Sequence, residues 1–63
     1  MPFTEEEKEF LAQAISYYCL NYVWGELRDK DANAAAEEFF KLKTFCKNCG
    51  IWDLLSEEVH RGN

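Results

Sequence analysis

The one string of residues with the spacing of a reactive or metal-binding site is Cys46-Lys47-Asn48-Cys49-Gly50. Two thiolates three residues apart, followed by a glycine, form half of a tetrahedral zinc site, which Cys19 and His60 could complete. Zinc signatures gain their specificity from two such pairs, however, and this chain has one. Buried free cysteine also behaves as a small apolar residue. We therefore expect core thiols with no metal or cofactor, and a zinc-stabilised module that uses Cys46 and Cys49 is the alternative.

The other polar residues do not form a pattern that predicts catalysis. Redox chemistry needs a lowered thiol pKa, which helix N-termini and cationic neighbours provide, whereas the cysteine pair falls at the predicted C-terminal end of a helix. The single histidine, His60, is not tied by any motif to a serine or cysteine nucleophile. The three glycines stand singly, so a glycine-rich phosphate loop is absent from the sequence. We predict that the chain is not an enzyme.

The cysteine pair lies on an apolar stripe that organises the chain. Its members recur at spacings of four, three, four and three, which is typical of one helix face: Ala35, Phe39, Leu42, Cys46 and Cys49. Asp31 or Asn33 can cap the start of this helix. Gly50 supplies the left-handed residue that ends many helices, and Ile51 can then fold back on the last turn. These signals predict a helix over about residues 32–49.

The N-terminal half predicts a longer helix with two apolar faces. Thr4 and Glu7 match a capping box, so the helix begins at about residue 5 and extends to about residue 28. The first stripe comprises Leu11, Ile15, Tyr18 and Tyr22, and the second comprises Phe10, Tyr17, Leu20, Trp24 and Leu27. A helix that is apolar on two faces must be covered on both. A rival interpretation makes residues 15–24 a strand, because their residue types favour strands, although they do not alternate.

The remaining segments complete an all-α prediction. Apolar residues resume a helical period after Gly50, which predicts a short third helix over about residues 51–60. A short polar connection at residues 29–33 places the first two helices antiparallel and adjacent. We expect one small domain over residues 1–63, an antiparallel helical hairpin plus a short third helix. Because a chain of this size buries only about 60% of its unfolded surface, we expect it to assemble as a homodimeric helical bundle.

The charge of the chain excludes several classes of partner. Twelve acidic and seven basic residues give a formal net charge of −5, whereas a phosphate backbone is bound through lysine and arginine. We therefore expect no direct nucleic-acid binding, and no association with an anionic membrane surface for the same reason. No stretch approaches the ~20 apolar residues of a membrane span. The acidic N-terminal residues are unlike a secretory leader, and an odd count of three cysteines fits a reducing cytoplasm.

The aromatic residues suggest a function in protein binding. Five Phe, three Tyr and two Trp are more than three short helices can shield from water. Rings of these types anchor protein interfaces, which makes the following the predicted partner-binding residues: Phe10, Tyr17, Leu20, Trp24, Leu27, Phe40 and Trp52. We predict a small cytoplasmic interaction module that binds and regulates another protein of unknown identity. The alternative is an acidic inhibitor of the kind phages encode, whose carboxylates mimic nucleic-acid phosphates.

Overall fold

The computed structural model describes residues 3–61, and within that range the protein is all-α with no strand. The elements, in chain order, are α1 (Glu5–Tyr18), a π-helical segment (Cys19–Leu27), α2 (Arg28–Lys30), α3 (Ala32–Cys49), a 3₁₀ turn (Trp52–Leu54) and α4 (Glu57–His60). The first three follow one another without a break, and we call them together the first rod (residues 5–30). We call residues 51–60 the tail. The strand interpretation of residues 15–24 is therefore wrong.

The ends of the two long helical elements match the predicted caps. The Thr4 N–H donates to Glu7 Oε1 (2.9 Å) and the Glu7 N–H donates to Thr4 Oγ1 (3.1 Å), which confirms the capping box. Asp31 is the N-cap of α3, since its Oδ1 accepts from the N–H groups of Asn33 and Ala34, both at 3.1 Å. Gly50 ends α3 in the left-handed region, with φ at 73°.

The first rod passes through Gly25 and continues two residues beyond the predicted end at about residue 28. Its second part is π-helical, so the Arg28 N–H reaches the carbonyl oxygen of Val23, five residues back. A π turn holds more residues than an α turn. Residues four apart, such as Cys19 and Val23, consequently stay on one side of the rod, and both are fully buried.

The buried face of the first rod lies between the two predicted stripes. Its centre is formed by Ala12, Ser16, Cys19 and Val23. The predicted stripes flank this line, and their inner members, Leu11 and Ile15 on one side and Leu20 and Trp24 on the other, are half-buried against the core. The rod therefore has one wide apolar arc with small residues at its centre. Small side chains there let the neighbouring elements approach closely.

The tail differs from the predicted third helix over about residues 51–60. A 3₁₀ turn is followed by extended backbone at Leu55 and Ser56, with ψ near 157° and 156°, and then by the four-residue α4. Ile51, Leu55 and Val59 are buried nevertheless, at the four-residue spacing that predicted a helix. The extended step is stabilised from outside the tail, because the Ser56 N–H donates to Ser16 Oγ at 3.1 Å.

The packing of the elements leaves one end of the first rod uncovered. The π-helical segment and α2 pack against α3, and the 3₁₀ turn packs against both α1 and α3. The molecule measures 36 × 16 × 16 Å. All residues from Phe3 to Phe10 except Lys8 are exposed, so the first two turns of α1 extend beyond the core. Within residues 3–61, no helix has the length and apolar character needed to cross a membrane.

Candidate functional site

The cysteines lie in the core. Cys19 and Cys46 are fully buried, Cys49 is half-buried, and all three are free thiols. Burial is the main cause that raises the pKa of Cys46 from 9.0 to about 11, with smaller contributions from the nearby Cys49 and Cys19 thiols. Burial also raises the pKa of Cys19. These environments oppose the thiolate, which is the form that attacks substrates and binds metals.

The described part of the chain does not assemble a metal-binding set around these thiols. Among residues 3–61, no group of three or more His, Cys, Asp or Glu side chains is arranged to hold a metal ion. His60 packs instead against Trp52, with ring centroids 4.6 Å apart and the planes nearly perpendicular. His60, one of the two residues that would complete a zinc site, therefore contacts an indole ring.

Three aromatic rings in successive contact, which we call the ring ladder, lie at the C-terminal end of the second stripe. Trp24 contacts Phe39 at a centroid distance of 5.1 Å, and Phe39 contacts Trp52 at 6.2 Å. The Lys43 ammonium group lies 5.4 Å from the centre of the Trp52 ring, within range of a cation–π contact. Of the seven predicted partner-binding residues, four are thus half-buried against the core: Leu20, Trp24, Leu27 and Trp52.

The other three predicted partner-binding residues are the most exposed large apolar side chains of the described chain. Phe10 is 77% exposed, Tyr17 is 72% exposed and Phe40 is 71% exposed. Phe10 and Tyr17 are seven residues apart and share the solvent side of the first rod. Phe40 lies on the solvent side of α3. The structure therefore divides the predicted set into four covered residues and three exposed residues, two of them on the first rod and one on α3.

A groove lies beside Tyr17, between the first rod and the tail. It is lined by Gln13, Ser16, Tyr17, Leu20, Asn21, Leu54, Ser56 and Glu58, and its volume is about 350 Å³. Leu54, on the 3₁₀ turn, is exposed at its edge. The sequence places Leu54 within the apolar period of a third helix. Its role in the groove depends on the 3₁₀ turn, which no sequence signal indicated.

A second exposed aromatic cluster lies on the opposite flank of the first rod. The Tyr18 and Tyr22 rings are in contact, with centroids 5.4 Å apart and planes tilted by 31°, and the Tyr18 hydroxyl donates to Glu38 Oε2 at 2.8 Å. This hydrogen bond is the main cause that raises the pKa of Tyr18, because ionisation would remove the donor. Phe45, seven residues after Glu38 on the same face of α3, is also exposed. The bond fixes the first rod against α3.

The exposed surface therefore offers apolar contact through aromatic rings, with hydrogen-bonding groups and carboxylates around them. The buried thiols have pKa values above the usual range, and the histidine makes an edge contact with an indole ring. Comparison of the chain with protein-family models, with curated proteins and with solved structures finds no match.

Proposed function

We propose that the chain is a small non-catalytic interaction protein that binds another protein and modulates it. In this proposal the first rod and α3 form an antiparallel helical hairpin, the tail lies along it, and two copies associate into a helical bundle. The covered rings hold the subunit together, and the exposed rings make the contacts with other molecules.

The observation that carries this proposal is the exposure of Phe10, Tyr17 and Phe40, each above 70%. Burying a Phe side chain that would otherwise contact water contributes about 2–3 kcal/mol. Tyrosine and phenylalanine are enriched in the centres of protein interfaces for this reason. Because Phe40 lies on α3 and the other two lie on the first rod, one surface is available for self-association and the other for a different protein.

A photo-crosslinking experiment tests the proposal. A photoreactive phenylalanine analogue replaces Phe10, Tyr17 or Phe40 in turn, and irradiation is carried out in the native host. We expect an adduct of twice the 7.4 kDa chain mass from positions 10 and 17, and a discrete adduct with another protein from position 40. The same analogue at Glu26, which is exposed on the π-helical segment, is the control. Adduct patterns indistinguishable from that control at all three positions would contradict the proposal.

The nucleic-acid-mimicking inhibitor is a second candidate. The observation that favours it is the concentration of exposed carboxylates in the first turns of α1: Glu5, Glu6, Glu7 and Glu9. Such a contact is largely electrostatic, so its affinity falls steeply with added salt. Measuring the salt dependence of binding to the protein partner, whichever surface captures it, separates the two candidates. Binding through rings retains its affinity at high salt, whereas phosphate mimicry does not.

A further inference from the structure

The exposed Phe10 ring and the groove beside Tyr17 have complementary properties. No described element covers the Phe10 ring. The apolar part of the groove lining is formed by Tyr17, Leu20 and Leu54. The groove volume of about 350 Å³ exceeds the ~150 Å³ cavity that accommodates benzene. Phe10 cannot fill the groove of its own chain by bending back, because it is fixed on the same straight α-helix about 10 Å from Tyr17. A phenyl ring from another molecule can.

The positions of Phe10 and Tyr17 define how a second copy can supply that ring. The two residues are equidistant from the step between Gln13 and Ala14 on the solvent side of α1. A two-fold axis at this step aligns two first rods antiparallel and places Phe10 of each copy opposite Tyr17 of the other. The contact is isologous and closes at two copies. Gln13 and Ala14 flank the axis, so the small side chain of Ala14 lies at the same level as Gln13 of the other copy.

The charges on this face favour the antiparallel arrangement over the parallel one. With the axis at the Gln13–Ala14 step, Glu6 lies at the level of Asn21 of the other copy. A parallel arrangement in the same register would place Glu6 against Glu6, which like-charge repulsion disfavours. The one carboxylate that lines the groove, Glu58, is itself solvent-exposed.

We propose that the groove between the first rod and the tail is the docking site for Phe10 of a second copy of this chain, in a reciprocal antiparallel dimer. This inference rests on the self-association in the proposed function. It adds the antiparallel orientation of the two copies and Phe10 as the side chain that anchors them. Each subunit provides one ring and one groove. Phe40 lies on α3, away from this contact, and remains free for a different partner.

Sedimentation equilibrium of three chains tests the anchor. We expect the wild-type chain to be dimeric at micromolar concentration and the Phe10→Ala variant to have a dimer Kd at least about tenfold higher, because a central aromatic anchor is lost twice. Phe40→Ala is the matched control, since it removes an equally exposed ring from α3. We expect its dimer Kd to stay within about threefold of wild type.

Spin-label distances test the orientation. A Glu6→Cys change in a Cys49→Ser background places one accessible thiol on each copy, because Cys19 and Cys46 are fully buried. In the antiparallel dimer the two labelled positions are separated by about 22 Å along the axis and roughly 25 Å in total. A parallel dimer would bring them to roughly 10 Å.

The outcomes separate this inference from the proposal on which it rests. A wild-type chain that is monomeric throughout overturns both the docking site and self-association. A wild-type dimer that Phe10→Ala does not weaken, or that gives the short label distance, overturns the docking site and leaves self-association standing. The docking site is supported if Phe10→Ala weakens the dimer, Phe40→Ala does not, and the spin-label distance is the long one.

Discussion

The two ends of the first rod carry similar rings in different surroundings. Phe10, Tyr17 and Trp24 are spaced seven residues apart. Trp24, on the π-helical segment, contacts Phe39 and joins the ring ladder that Trp52 extends, whereas Phe10 and Tyr17 remain above 70% exposed. α3 makes the difference together with the tail, because α3 packs against the π-helical segment and contributes Phe39, and the tail crosses the rod at Ser16. Coverage therefore depends on where α3 and the tail pack and not on the type of the covered residue.

This comparison separates two uses of apolar surface within one small chain. At the covered end, Ile51 and Val59 are fully buried and hold the tail against the rod. At the uncovered end, removal of a ring leaves the interior unchanged. Substitutions at the covered end should change the free energy of unfolding. Substitutions at the uncovered end should change the affinity of association.

The largest expected effect is that of Ile51→Ala at the covered end. We expect a loss of about 3 kcal/mol in the free energy of unfolding, from lost apolar burial and the cavity that remains. Phe10→Ala, measured below the dimer Kd, should change this free energy by less than about 0.5 kcal/mol, because its ring is exposed. Urea denaturation measures both, read from the midpoint at unchanged slope.

If the Ile51→Ala variant does not fold, the milder Ile51→Val variant allows the same comparison. We expect it to cost about 1 kcal/mol, still more than Phe10→Ala. Equal losses at positions 51 and 10 would contradict the division between the two ends.

The next largest effect concerns the hydrogen bond that joins the tail to the rod. Ser16→Ala removes the acceptor for the Ser56 N–H group, and a partly buried donor left without a partner costs about 1–2 kcal/mol. Thr44→Ala is the matched control, since its hydroxyl donates to the Phe40 carbonyl oxygen on the exposed side of α3. Thermal unfolding of both variants should show a loss for Ser16→Ala alone. Similar melting temperatures would mean that this hydrogen bond does not hold the tail.

Alkaline pH should lower the free energy of unfolding, because the buried Cys46 thiol ionises more readily in the unfolded chain. Its pKa is 9.0 in the unfolded chain and about 11 in the folded protein. Below pH 9 the thiol is neutral in both states; as pH rises from 9 toward 11 the unfolded chain ionises first, so stability falls. We expect a loss of roughly 1 kcal/mol at pH 10 relative to pH 8 from this group. Denaturation of Cys46→Ala over the same range should show a smaller loss, and identical pH profiles would contradict the assignment.

The ends of the helical elements could be predicted from the sequence because caps depend on local chemistry. Thr4 with Glu7, Asp31 and Gly50 each act through neighbouring backbone groups, and all three are present in the structure. The centre of the buried face could not be predicted in the same way. Ala12 and Ser16 contribute little to an apolar pattern, and their burial results from close packing of α1 against the tail.

The backbone conformation of the tail, and which residues of the second stripe are covered, could not be predicted from the sequence for a related reason. Ile51, Leu55 and Val59 are spaced four apart, which fits a continuous helix as well as the observed turn, extended step and short helix. The extended step depends on the hydroxyl of Ser16, forty residues away in sequence. Which of Tyr17 and Trp24 is covered depends on where α3 and the tail pack.

The smallest expected effect is a gain in stability from Gly25→Ala at the covered end. Gly25 lies inside the π-helical segment, and a Cβ built there would lie 3.5 Å from the Leu20 carbonyl oxygen, an ordinary contact. Because glycine loses more backbone freedom on folding than alanine, we expect a gain of about 0.5–1 kcal/mol in the free energy of unfolding. Gly50→Ala is the control with the opposite sign, since its φ of +73° strains any residue with a Cβ. A loss of stability in Gly25→Ala would show that the π-helical backbone itself requires glycine, and the covered end would then depend on that backbone as well as on the tail.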